Sequence, residues 1–139
     1  MNQASAGWIE WVAVAVGATL GAWVRWQAGL RLGLVVAGVP AGTLAVNLGG
    51  GGLIGLAIAW LSQHPGQEVW RLLCVVGFLG GLTTFSSFSG ESLGLLQAQR
   101  FGAALAHTLA HVLGSLACAA GGYAPVSYTH LTLPTNREV

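Results

Sequence analysis

The sequence predicts an all-α integral membrane protein with four transmembrane helices, the third of them broken. Three observations support this class. Only nine of the 139 residues are Asp, Glu, Lys or Arg, and 54% are hydrophobic, whereas about 25% of the residues in a soluble domain are charged. Glycine occurs 22 times and tryptophan 6 times, and membrane proteins favour glycine within their helices and tryptophan at the interfaces. The apolar residues also fall into four long stretches that contain few charges.

Each stretch is long enough for a membrane span, which needs about 20 apolar residues. The predicted spans are residues 8–26, with tryptophans at both ends, the uncharged stretch between Arg31 and Trp60, residues 71–99, and residues 101–123. Short loops join them, so residues 1–124 form one transmembrane domain. The first stretch lacks a basic region before it, and we interpret it as a retained span rather than a signal peptide.

Residues 125–139 differ from the rest of the chain because they are polar and rich in threonine, with Pro125 and Pro134. They resemble the tails that arise when cloning or adapter DNA is translated in frame. We expect this tail to be non-native or disordered and not to span the membrane.

Several classes of function are excluded by composition. The net charge is +1 without a cluster of Lys or Arg, which leaves no surface for gripping a nucleic-acid backbone. Cys74 and Cys118 lie within apolar runs and are interpreted as small hydrophobic residues, not as a disulfide or zinc site. The sequence has no paired carboxylates, nucleophile and base pair or phosphate-binding loop, so we predict that the protein is not an enzyme.

The distribution of arginines specifies orientation only weakly. Arg31 and Arg100 lie in loops on one face, whereas Arg71 and the amino terminus lie on the other. Because Lys/Arg asymmetry sets membrane topology, such a small bias is compatible with insertion in both orientations. An antiparallel homodimer is therefore a reasonable expectation.

The third span contains a polar segment from Gly80 to Glu91 that is unusual for a lipid environment. Two glycines followed by threonines and serines weaken a helix, and irregular backbone at membrane depth is tolerated only inside protein or beside a cavity. We predict a break between Gly80 and Thr84. Its freed carbonyls could hold a small cation and the following helix start could favour an anion. The alternative is a tightly packed Gly/Ser/Thr helix interface.

Two further features point to polar contacts inside the bundle. Phe85 and Phe88 share one helical face, where their ring edges could meet an anion or simply pack against another helix. Asn47 lies within an uncharged stretch and must have a partner, because an unpaired polar group there is costly. It could donate to an anion, with Thr43 one turn away, or bond to another helix.

The fourth span carries a polar stripe formed by His107, His111 and Ser115 at intervals of four residues. Histidines at this spacing can bind zinc, but this span offers no carboxylate or third ligand, so a wet path or a helix interface is favoured. Arg25 and Glu91 are further candidates, since ionisable residues within membranes are often functional. Gly-x-x-x-Gly pairs at 17/21, 38/42 and 51/55 predict close helix contacts.

Together these residues resemble the CrcB/Fluc family of small fluoride channels over residues 17–122. Three motifs carry the resemblance: Gly-Ala-Trp-Val-Arg-Trp at 21–26, Gly-Thr-Leu-Ala-Val-Asn at 42–47, and the segment from Gly80 to Glu91. The last contains Gly-Gly-x-Thr-Thr-Phe-Ser-x-Phe-Ser, which is close to a family signature.

The resemblance implies a fluoride-selective channel of the cell inner membrane, through which cytoplasmic fluoride leaves passively and becomes less toxic. It also implies an antiparallel dual-topology homodimer in the lipid bilayer, with two fluoride pathways and a central Na⁺ held by the backbone carbonyls of Gly80 and Thr83. Arg25 would be structural or vestibular. The residues expected along the anion pathway are Thr43, Asn47, Phe85, Ser87, Phe88, Glu91, His107, His111 and Ser115.

The fourth span departs from the family pattern. The family tends to place Tyr and Ser one turn apart, whereas this chain has His107 and His111, and Ser115 keeps the next hydroxyl. A neutral imidazole still donates one hydrogen bond, and a protonated one would attract an anion more strongly.

Two other functions remain open from the sequence. A small multidrug-type exporter, also a four-span antiparallel dimer, would bind cations through a first-span glutamate, for which Glu10 is the candidate. A membrane assembly subunit without transport activity is the third possibility.

Overall fold

The structure is a computed structural model that describes the backbone of residues 7–32, 35–36 and 39–128, and the side chains of residues 7–32 and 41–126. Its main elements are long helices. In chain order they are α1 (Trp8–Arg31), the short strands β1 (Val35–Val36) and β2 (Val39–Pro40), α2 (Ala41–Gln63), α3 (Glu68–Trp70), a π-helical segment (Arg71–Leu79), α4 (Gly80–Leu82), α5 (Phe85–Gln97) and α6 (Phe101–Tyr128).

Three helical stretches in the described part of the chain are long and apolar enough to cross a membrane. They are Ala41–Gln63, Glu68–Gln97 and Phe101–Val126. Helix α1 has 24 residues, enough length for a span, but its tryptophans, Glu10 and Arg25 lower its hydropathy and it does not belong to this group. Large apolar side chains such as Trp8 and Phe101 point outwards, as expected for surfaces that face lipid.

Small residues bring the helices into close contact in two pairs. Helix α1 packs against the π-helical segment and α4, where a Cβ atom on Gly17 or Gly21 would collide with the backbone at Leu73 or Phe78. Helix α2 packs against α6, where a Cβ atom on Gly55 would meet the Ala119 carbonyl oxygen. The contacts predicted for the glycine pairs 17/21 and 51/55 are thereby confirmed.

The third glycine pair lies partly outside the described residues, because Gly38 is not among them. Its partner Gly42 approaches Gly29 of α1, with 3.1 Å between the Cβ position of Gly42 and the Gly29 Cα. Helices α1 and α2 therefore meet closely near one end of the bundle.

Two boundaries differ from the sequence prediction. The uncharged stretch after Arg31 does not become helical until Ala41, because β1 and β2 pair antiparallel, with Val35 opposite Pro40. A residue before proline is disfavoured in helical geometry, which accounts for the late start. Helix α6 continues past Pro125 to Tyr128, and the Gln63 side-chain amide donates to the Val126 carbonyl at 3.0 Å, which ties this last turn to α2. Residues 129–139 of the predicted tail lie outside the described residues.

The buried apolar core is small and lies beside the junction of α4 and α5. Val46 of α2 packs with Leu79 and Leu82. These side chains adjoin Thr84, a polar residue that is only 7% exposed. The core therefore supports the part of the chain in which the helix is interrupted.

Candidate functional site

The predicted helix break is present at Thr83 and Thr84. Both residues have extended backbone, with φ/ψ of −79°/155° at Thr83 and −148°/116° at Thr84. Helix α5 starts at the next residue, and the Thr84 hydroxyl oxygen caps it by accepting from the Ser87 N–H at 3.1 Å. Threonine suits this position because its side-chain oxygen satisfies one of the free N–H groups of a helix start.

The break interrupts the helical hydrogen bonds of the carbonyls that precede it, including those of Gly80 and Thr83. In a continuous helix the Thr84 N–H would donate to Gly80, but it donates to the Asn47 side-chain oxygen at 2.8 Å. The Ser87 N–H, which would reach the Thr83 carbonyl, donates to the Thr84 hydroxyl oxygen. Arg25 Nη1 instead donates to the Thr83 carbonyl at 3.3 Å.

Asn47 holds the break in place through its amide group. Its oxygen accepts from Thr84 N–H and its nitrogen donates to the Thr84 carbonyl at 3.0 Å. The same nitrogen lies 3.2 Å from His111 Nδ1. The prediction that Asn47 has a partner is confirmed. Both amide hydrogens face protein atoms, so an anion at Asn47 would compete with these bonds.

Phe85 and Phe88 lie on the same side of α5, as their spacing predicts. Their ring centroids are 5.4 Å apart and the rings are tilted by 50°. Phe85 is 78% exposed. Phe88 packs on the histidines of α6, with centroid distances of 5.3 Å to His107 and 4.8 Å to His111. The Phe88 ring is thus packed against the two histidines, and the Phe85 ring faces outwards.

His107 and His111 are buried at 9% and 5% exposure. His107 Nε2 lies 3.1 Å from a carboxylate oxygen of Glu91, and His107 Nδ1 lies 3.1 Å from the hydroxyl of Ser92. The other Glu91 oxygen accepts from the Thr43 hydroxyl at 2.5 Å. Three helices therefore contribute to one connected polar network, and the carboxylate that α6 lacks is supplied by α5.

The predicted pathway residues are divided between two cavities that share Thr84. The larger, of about 500 Å³, is lined by Asn47, Phe85, Phe88, His111 and Ser115 together with Gly80 and Thr83. The smaller, of about 390 Å³, is lined by Arg25, Thr43 and Ser87. Glu91 and His107 line neither cavity and connect to the smaller one through Thr43.

The contacts of two residues, Thr84 at the end of the predicted break and Ser92, were not predicted from the sequence. Thr84 is the centre of the break, and its placement between Thr83 and the first phenylalanine was the available signal. Ser92 follows Glu91 and is four residues from Phe88, which places it on the same helical face. Neither position could be paired with its partner, because sequence spacing does not specify the register between helices.

Glu10 and the cysteines have simpler surroundings. The Glu10 carboxylate accepts from the Gly7 N–H at 2.8 Å and therefore caps the start of α1 at the end of the bundle. Cys74 and Cys118 are free thiols, and Cys74 lines an apolar cavity with Trp70 and Phe78. These contacts agree with the interpretation of the cysteines as small hydrophobic residues.

The apolar helices and the buried polar network define the class of this molecule. It is a small multi-pass membrane protein in which one of the helical stretches long and apolar enough to cross a membrane is interrupted beside hydroxyl, amide and imidazole groups. The chain belongs to the CrcB family, since the family described as "CrcB-like protein, Camphor Resistance (CrcB)" matches residues 12–123.

Curated relatives from several bacteria bear one name, "Fluoride-specific ion channel FluC". The protein of that name from Cupriavidus pinatubonensis is 50% identical over 117 residues, which cover 84% of this chain and 93% of the relative. The protein from Pseudomonas syringae pv. maculicola is 49% identical, over 78% of this chain and 87% of the relative. The protein from Bordetella pertussis is also 49% identical, over 85% of this chain and 91% of the relative.

Proposed function

We propose that this chain is a fluoride-specific ion channel of the cell membrane that lets cytoplasmic fluoride leave passively. The observation that carries this proposal is the identity of about half of all residues with channels of that name, over most of both chains. These relatives are ion channels rather than enzymes, in agreement with the lack of catalytic constellations in the sequence. The interrupted helix with its polar network is a suitable place for an ion to lose part of its water.

The chemistry of the pathway follows from the properties of fluoride, which is small and strongly hydrated. A selective pore must replace hydration with protein groups and yet release the ion. In our proposal the hydroxyls of Thr43, Ser87 and Ser115 and the positive ring edges of Phe85 and Phe88 provide such contacts. His107, His111 and Glu91 would form the polar wall next to Phe88, and Asn47 would act mainly by holding the break.

Four membrane spans and an antiparallel dual-topology homodimer complete the proposal. Helix α1 has the length of a span, and the weak arginine bias supports insertion in both orientations. The exposure of Phe85 beside a largely apolar cavity that Asn47 and His111 also line suits a face that a second copy covers. Cross-linking of single-cysteine variants in membranes would reveal antiparallel neighbours, and purely parallel cross-links would contradict the arrangement.

The site residues fit a Na⁺ ion in part. The carbonyls of Gly80 and Thr83 lose their helical donors at the break, which leaves oxygen lone pairs for a cation. Arg25 already donates to the Thr83 carbonyl, and its charge would repel a cation there. Two carbonyls from each copy in an antiparallel dimer would give a larger ligand set, which is our proposal. Because a ligand that binds only the folded state stabilises it, added Na⁺ should raise the thermal midpoint in detergent, with N-methylglucamine as the control.

A comparison of variants tests the channel proposal against a cation exporter. Phe85→Ile, which removes an aromatic ring from the pathway, should reduce fluoride efflux from proteoliposomes, whereas Glu10→Gln should not. Loss of transport in Glu10→Gln with full transport in Phe85→Ile would contradict the channel. Ion-tight liposomes containing folded dimer would favour an assembly subunit.

A further inference from the structure

Glu91, His107 and His111 form a compact group of metal-ligand atoms inside the helix bundle. One ring nitrogen from each histidine and one carboxylate oxygen all lie within 4.8 Å of one another. His107 Nε2 and Glu91 Oε2 are 3.1 Å apart, and the histidine ring centroids are 4.5 Å apart. The ligands come from α5 and α6, so the fold brings together what neither helix offers alone.

His111 supplies an independent reason to expect a ligand. It is 5% exposed, and its Nε2 atom is buried without a hydrogen-bond partner among the described residues. A buried polar atom without a partner destabilises the fold, and such atoms commonly mark a functional role or an ion. Because Thr84 fixes the orientation of the Asn47 amide, the Asn47 nitrogen donates to His111 Nδ1 at 3.2 Å. The neutral ring then carries its proton on Nε2, so Nε2 binds a metal only when this proton moves to Nδ1 or leaves the ring.

The surroundings of the other two ligands suit metal binding. His107 Nδ1 lies 3.1 Å from the Ser92 hydroxyl, which can accept an N–H bond when Nε2 binds a metal. The Glu91 oxygen that does not contact His107 accepts a hydrogen bond from the Thr43 hydroxyl. Partners of this kind orient ligands, and their loss typically lowers affinity by about 10–100-fold.

We propose that Glu91, His107 and His111 bind a divalent transition-metal ion of the Zn²⁺ type. Two imidazoles and a carboxylate form a known ligand set for zinc with an open fourth position. Bonds of about 2.0–2.1 Å in a tetrahedron require donor separations of about 3.3 Å. His107 Nε2 and Glu91 Oε2 are close to this separation, and the ligand atoms of the group, which lie within 4.8 Å of one another, must move closer together to reach it.

The ligands should contribute unequally. A metal-bound imidazole normally donates its second N–H to a partner, and Ser92 provides one for His107. At His111 the second nitrogen faces an amide N–H₂ instead, which opposes that tautomer. His111 is therefore the weakest of the three ligands, and the pair from His107 and Glu91 determines most of the affinity.

The test uses the full chain purified in detergent without an affinity tag, with His64→Ala and His130→Ala introduced together. The chain has 4 histidines, so His107 and His111 then remain. His64 is exposed and packs on Trp60. Calorimetry with ZnCl₂ and absorption spectra with CoCl₂ report binding directly. We expect one ion per chain, as in the unsubstituted protein, and a tetrahedral Co²⁺ spectrum.

The ligand variants should then differ in a defined order. His107→Gln and Glu91→Gln should each weaken Zn²⁺ binding by about 100-fold or more, and His111→Gln by about 10-fold, because even the residues that orient a ligand contribute about 10–100-fold. Circular dichroism and gel filtration confirm folding, and Thr108→Ala, elsewhere on α6, is the matched control. Equal Zn²⁺ affinity in all variants would overturn the proposal. So would loss of Zn²⁺ binding in the double variant that carries His64→Ala and His130→Ala.

Transport provides a readout that separates this proposal from the channel function. Bound metal next to Phe88 should obstruct the pathway, so micromolar ZnCl₂ should slow fluoride efflux in the His64/His130 background. Efflux that Zn²⁺ leaves unchanged, in a protein that calorimetry finds unable to bind the ion, would overturn the metal site and leave the channel intact. Zn²⁺ binding in a protein that does not conduct fluoride would overturn the channel and leave the metal site intact.

Discussion

Replacement of Asn47 by alanine should destabilise the fold because this one side chain satisfies both backbone groups of Thr84. Asn47 accepts from the Thr84 N–H at 2.8 Å and donates to its carbonyl at 3.0 Å, and Thr84 is 7% exposed. Two buried backbone groups left without partners, at about 1–3 kcal/mol each, would lower the free energy of unfolding by about 2–6 kcal/mol. Hydrogen bonds measured within membranes average about 0.6 kcal/mol, which favours the lower end, about 2 kcal/mol.

Unfolding by SDS in mixed micelles, followed by far-UV circular dichroism, measures this difference. Ser115→Ala is the matched control, because it removes a hydroxyl from the wall of the same cavity without touching Thr84. We expect Asn47→Ala to lose about 2 kcal/mol more than the control. If the two variants agree within about 0.5 kcal/mol, the range of ordinary surface substitutions, Asn47 does not hold the break.

Three other predictions concern neighbouring features and are tested by the same unfolding assay or by hydrogen exchange. Gly55→Ala would place a Cβ against the Ala119 carbonyl and should cost about 1–3 kcal/mol. Gly49→Ala meets open space and should stabilise α2 by up to about 1 kcal/mol. Changes of the same sign in the free energy of unfolding of both variants would refute the packing. Thr84→Val removes the cap of α5 and should cost about 1 kcal/mol, with Thr84→Ser retaining most of it, so equal losses would argue against capping. Gln63→Ala breaks the hydrogen bond to the Val126 carbonyl. It should speed amide hydrogen exchange in the last turn of α6 and leave exchange in the middle of α6 unchanged. Unchanged exchange in the last turn would show that Gln63 does not hold it.

The sequence predicted those features that depend on local chemistry. Glycines followed by threonines weaken a helix wherever they occur, so the break at Thr83 and Thr84 could be located. The spacing of Phe85 and Phe88 was sufficient to place both on one face. Small residues at intervals of four predicted the close contacts of α1 and of α2 with their neighbours, because only glycine lets backbones approach so closely.

Features that depend on the register between helices could not be predicted in this way. The histidines of α6 were set aside as metal ligands for want of a carboxylate, which Glu91 supplies from α5. The partner of Asn47 is a backbone, and backbone groups carry no sequence signal. Hydropathy also could not separate the β1 and β2 residues from α2, because paired strands and an apolar helix start are equally uncharged.

Efflux from proteoliposomes loaded with fluoride or chloride, followed by ion-selective electrodes, tests the central claim most directly. The purified protein should release fluoride rapidly and retain chloride, because the polar pathway replaces the hydration of the smaller ion. Phe85→Ile, which changes only the aromatic wall, should slow that release. Retention of fluoride by liposomes that contain verified folded dimer, or equal release of both anions, would contradict the proposal of a fluoride-selective channel.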